Sequence, residues 1–99
     1  MNTIDIKGHI TIRRAENAHL WILINDHVKD KAPVFSANLV EDQADYWSKI
    51  LHDGDVIALT GSIAGADRRN GFVVVYDPVI TRAYREEITL VELPEDTHQ

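Results

Sequence analysis

The sequence predicts an all-β domain: a five-stranded closed barrel with one α-helix between its third and fourth strands. Three observations carry that expectation. Apolar and polar residues alternate with period two in several separate runs. One segment, residues 41–51, instead carries its apolar residues at helical spacing. Two glycines interrupt otherwise regular strand patterns: Gly8 suggests a bulge or bend, and Gly61 a sharp bend or a close backbone approach.

The first strand is the clearest. Ile4, Ile6, Gly8, Ile10 and Ile12 alternate with Asp5, Lys7, His9, Thr11 and Arg13, so four isoleucines face the core and Gly8 marks a bulge or bend. It is expected to end at Arg13-Arg14, with 15–18 as a short connection. The second strand, His19 to Asn25, turns Leu20, Ile22 and Ile24 inward and leaves Trp21 and Leu23 on the outer face. Residues 26–33 form a polar hairpin loop. Val34 to Val40 is the third strand. With Phe35, Ala37 and Leu39 inward, Val34, Ser36 and Asn38 join Trp21 outside; the opposite parity puts Phe35 outside.

Glu41 to Leu51 reads as the helix. Its acidic first turn suits the positive end of the helix dipole, and Tyr46, Trp47, Ile50 and Leu51 form an apolar stripe that plugs one end of the barrel. His52-Asp53-Gly54 is its expected stop, with Gly54 as the terminator. The fourth strand follows, with Ile57, Leu59, Gly61 and Ile63 on one face. After a polar turn at 66–71, the fifth strand starts at Phe72 and runs to Tyr76. Asp77-Pro78 marks an edge, a bulge or an end, because proline cannot donate to a ladder. Residues 79–84 resume an extended pattern. Residues 88–93 suit a short extra strand, and 94–99 are expected to be disordered. The barrel domain is therefore placed at 1–85 and an acidic C-terminal segment at 86–99.

Composition narrows the function classes. The chain of 99 residues is one domain, and without cysteine it has no disulfide, thiol nucleophile or thiolate metal site. No apolar run approaches the roughly 20 residues that span a bilayer, and 1–7 lack the layout of a signal peptide, so a cytoplasmic protein without a membrane partner is expected. The net charge is −6. All ten Lys and Arg lie within 1–85 beside eleven acids, while 86–99 carry five acids and no Lys or Arg. The body is thus near neutral and the tail holds the imbalance, as a solvated end or as a peptide that recruits a partner. The five histidines, including His9 and His19, show no metal-ligand spacing. No phosphate-cradling glycine motif or nucleophile motif is present. Metal, cofactor and catalytic activity are not expected.

The order of strands, helix and glycines resembles the OB-fold. The resembling pieces are Ile6-Lys7-Gly8-His9-Ile10, residues 19–26, and Gly54-Asp55-Val56-Ile57-Ala58-Leu59-Thr60-Gly61-Ser62-Ile63. They are similar to the OB domains of aminoacyl-tRNA synthetase anticodon-binding modules, replication protein A and the N-terminal module of the exonuclease VII large subunit. The resemblance implies a site on the face of the second and third strands, rimmed by the loops joining strands one to two and four to five. Arg13 and Arg14 fall at the first loop, Arg68 and Arg69 in the second, and Trp21 lies between them. Cations that track phosphates beside an aromatic surface for a base are what single-strand binding needs. Asn38 and Ser36 are placed to hydrogen-bond base edges, and Lys29 and Lys31 to extend the basic path.

Each of these residues also has a plainer reading. The arginines solvate turns, Trp21 packs under the C-terminal segment, and outward polar residues on a strand are ordinary. Phe72 and Tyr76 share one face of the fifth strand; their size favours the core, and the other parity puts them at the groove. The expected function is a non-catalytic module binding single-stranded nucleic acid, DNA slightly before RNA, as an accessory in replication, repair or RNA metabolism. The alternative is an OB adaptor that docks another protein within a larger complex.

Overall fold

A computed structural model describes residues 2–25, 34–64, 68–69 and 71–92, with backbone alone at 68, 69 and 92. In chain order the elements are β1 (Asn2–Glu16), β2 (His19–Asn25), β3 (Val34–Val40), α1 (Glu41–Ser48), β4 (Val56–Ile63), β5 (Arg68–Arg69), β6 (Phe72–Arg85) and β7 (Ile88–Glu92). The sheet runs β3-β2-β1-β4-β6. Phe35, Ser36 and Ala37 then pair in parallel with Val73, Val74 and Val75, which joins β3 to β6 and closes a ring of five strands. With α1 between β3 and β4, this is an OB-like barrel.

Period-two patterning holds through β2 and β3, and through β1 as far as Ile12. Leu20, Ile22 and Ile24 are fully buried, as are Ala37, Leu39, Ile57 and Leu59 from the strands that face them. Ile6 and Ile10 complete the β1 contribution, with Ile4 and Ile12 packed at its margins. Phe35 also packs against this core, so the first parity given for β3 is the one adopted.

Four expectations need correction. First, β1 runs on to Glu16, and a two-residue loop, Asn17-Ala18, returns it to His19. Second, Gly8 marks no bulge: β1 pairs regularly with β4 through Gly8↔Ile57. A Cβ at Gly8 would sit 2.6 Å from the Asn25 carbonyl oxygen, so the glycine serves a close backbone approach.

Third, the helical stripe is shifted. Ala44, Trp47 and Leu51 are buried at the barrel mouth, spaced i, i+3, i+7. Tyr46 lies about a hundred degrees round the helix, nearly half exposed, with its ring edge-on to Trp47. Fourth, α1 ends at Ser48 rather than at Leu51, and its cap is Lys49, in the right-handed region, rather than Gly54. Gly54 (φ +92°) sits in a separate turn, where its amide donates to the Ile10 carbonyl at 2.9 Å. That turn stitches the entry of β4 to β1.

Of the alternatives at Asp77-Pro78 the structure takes the bulge, so that 72–76 and 79–84 are one strand. Thr60 faces Val79 and Ser62 faces Tyr76, so Gly61 alone opposes Asp77 and Pro78. Two residues against one is a β-bulge, and it bends β6 around the barrel. Asp77 takes φ +53° there. β7 pairs antiparallel with Arg82–Arg85, and its Leu90 and Val91 pack against the core. The loop expected at 26–33, with Lys29 and Lys31, and the disordered end expected at 94–99 lie outside the described residues.

Candidate functional site

A second bulge builds the site. Ile12 of β1 faces Ile22 of β2, but Arg14 faces Trp21, so Arg13 is an extra residue. Upstream of it Thr11 points outward against Leu23. Without the insertion Arg14 would share the inward side of Ile12; with it, Arg14 and Glu16 turn outward opposite Trp21 and His19. Arg13 reaches the same place: its guanidinium carbon lies 5.9 Å from the centroid of the Trp21 ring, within cation–π range. The Asp53 carboxylate braces the strand here by accepting the Ile12 amide at 2.6 Å.

Trp21 is half-buried, and its indole N–H donates to the Ser36 hydroxyl at 2.8 Å. That bond sets the orientation of the ring. Asn38 lies directly across from Trp21 on β3, exposed, and its amide makes no hydrogen bond to any described residue. Beyond β3 comes β6, which buries Val73 and Val75 and turns Phe72, Val74 and Tyr76 to the same side as Asn38. The expectation that Phe72 and Tyr76 belong to the core is therefore corrected. Together these strands enclose an open groove of about 740 Å³.

The floor of the groove is aromatic, aliphatic and neutral. Its rim is mixed. Arg14 lies 3.8 Å from Glu16, both well exposed, and Asp77 lines the groove beside Tyr76. At the other end Arg69 pairs with Phe72, and Arg68 with Val73, across the β5–β6 ladder. The structure thus gathers Arg13, Arg14, Trp21 and Asn38 at one end. The backbone of Arg68 and Arg69 runs beside Phe72, roughly 13 Å along β6 from Tyr76 at strand rise. β7 lies along Arg82–Arg85, so residues 88–92 do not pack over Trp21.

No family model matches the chain, and none of the curated proteins or solved structures searched matches it. The reading of the groove therefore rests on its geometry and chemistry.

A second polar cluster is structural. Asp55 is the one buried charged residue among the described residues. Its carboxylate accepts Arg85 Nε and Nη2, both at 2.8 Å, and the His52 amide at 2.8 Å. Arg85 Nη2 also donates to the Ile50 carbonyl at 2.9 Å. Burial by itself would raise the Asp55 carboxyl; the Arg85 guanidinium and the His52 amide outweigh it and hold it below the usual carboxylate range. This clamp ties the chain just after α1 to the last residue of β6. Among the described residues no three His, Asp or Glu side chains are grouped to hold a metal ion, and no helix is long and apolar enough to cross a membrane.

Proposed function

We propose that the protein is a cytoplasmic, non-catalytic module that binds single-stranded nucleic acid in the groove over β2, β3 and β6. The observation that carries this reading is the β1 bulge. It sets two consecutive arginines beside one tryptophan whose ring is held by Ser36. Two cations and a fixed ring at one spot provide for a phosphate and its adjoining base. Phe72 and Tyr76 add two further aromatic positions along the same groove. The resemblance to OB domains supports the same reading and favours DNA over RNA, in an accessory role in replication, repair or RNA metabolism.

The test is a fluorescence-anisotropy titration with a labelled thymidine oligomer of about 20 nucleotides, long enough for one OB site, at low and moderate salt, with duplex as control. Strand-selective binding that weakens with salt is expected. Trp21→Ala should lose on the order of 1–3 kcal/mol of binding; unchanged affinity removes the stacking role.

A second reading, a docking site for another protein, has one specific observation in its favour. Glu16 and Asp77 stand at the rim of an otherwise neutral, apolar floor, a lining that suits an apolar peptide with basic residues at its margins. Failure to bind any single strand at low salt, with capture of a partner that Trp21→Ala abolishes, would establish it in place of the first.

A further inference from the structure

The geometry points to Asn38 as the residue that reads a base in this groove, and to a purine as the base it selects. The inference rests on the nucleic-acid reading above and adds to it a sequence preference.

Asn38 occupies the centre of a row across the groove. Trp21 lies directly opposite on β2. On its other side, Ala37 pairs with Val75, so Asn38 and Tyr76 are the next residues along β3 and β6, and both line the groove. Neighbouring strands are about 4.8 Å apart. A base resting on either ring therefore brings one of its edges over the Asn38 side chain.

The amide is also free to act. It makes no hydrogen bond to a described residue. Of the other polar groups around it, Ser36 accepts the Trp21 N–H and His19 lies one row nearer the β1–β2 turn.

A carboxamide offers one acceptor and two donors in a plane, so it takes a donor and an acceptor that stand side by side. Adenine presents that pair on two edges, its N6 amino group beside N1 and again beside N7. Guanine also presents it on two, its O6 beside N1–H and its N3 beside the N2 amino group. The pyrimidines present it on one edge and bring a smaller ring to the stack. A purine therefore satisfies Asn38 in more of the orientations in which Trp21 or Tyr76 can hold it.

The experiment compares labelled thymidine oligomers of equal length in which every third base is adenine, guanine, cytosine or left as thymine; the spacing prevents adenines from stacking on each other. The full chain and Asn38→Ala are titrated in parallel. The expected result is about five- to tenfold tighter binding of the adenine- and guanine-containing strands, with Asn38→Ala losing most of that preference and Trp21→Ala weakening all four. Equal affinity of the native chain for the four strands, or a purine preference undiminished in Asn38→Ala, would overturn the inference while leaving the groove reading in place. Binding of none of the four would overturn both.

Discussion

Replacing Asp55 with asparagine tests the account of what anchors the barrel. The carboxylate takes three hydrogen bonds at 2.8 Å, two from Arg85 and one from the His52 amide. Breaking a buried ion pair costs about 3–5 kcal/mol when the remaining charge is stranded. Two features lower that figure here. The Arg85 side chain is 36% exposed, so its guanidinium regains water, and asparagine keeps one oxygen for the His52 amide. A loss of about 2–3 kcal/mol remains, or a fall in Tm of about 8–24 °C for a domain of this size.

The pH dependence gives the sharper reading. The Asp55 carboxyl titrates below its ordinary value of 3.8 in the folded chain. Its contribution is therefore complete above the unfolded value and is lost as pH falls through the folded one. Urea unfolding of both proteins from pH 7 downward should show a constant difference to about pH 5 and a shrinking one below about pH 4, in the range set by that linkage. All other carboxylates titrate in both proteins and cancel. A difference under about 1 kcal/mol, or one that holds undiminished to the lowest pH at which both fold, would refute the charged clamp.

The β6–β7 hairpin places Glu86 (φ +51°) and Glu87 (φ +71°) in the left-handed region, where Asn-Gly is the favoured pair. The double change Glu86→Asn, Glu87→Gly should raise stability by about 1–2 kcal/mol in chemical unfolding; no gain would mean the turn is unstrained. Gly8→Ala should cost about 1–3 kcal/mol, since the new methyl meets the Asn25 backbone rather than a movable side chain. Phe72→Ala separates groove from core. It should weaken oligonucleotide binding by about 1–3 kcal/mol with a small change in Tm, whereas a core phenylalanine would cost about 3–5 kcal/mol of stability.

Alternation along the chain determined a great deal of this protein. Leu20, Ile22 and Ile24 have polar or amphipathic neighbours at the ends of their strand, so their inward placement was legible, and Trp21 on the outer face followed from it; Asn38 followed only once pairing with β2 fixed the parity of β3. Side-chain direction in a regular strand is a local property with a fixed period. The helix between the third and fourth strands was legible for the same reason. Its exact stripe was not, because Tyr46 and Trp47 are adjacent and both apolar, and the space at the barrel mouth admits only Trp47.

What the tertiary structure alone decided lies where that period is broken or silent. The run Phe72-Val73-Val74-Val75-Tyr76 is apolar throughout, so its parity carries no signal until pairing with β3 turns Val73 and Val75 inward. The extra residue at Arg13 is visible only when β1 is set against β2; one inserted residue reverses every side chain beyond it, and that reversal delivers Arg14 to Trp21. The Asp55–Arg85 pair joins residues thirty apart in sequence. Local sequence states which way a strand's side chains alternate; how two strands are matched in length, and which distant charge a buried carboxylate meets, is set only when the ring closes.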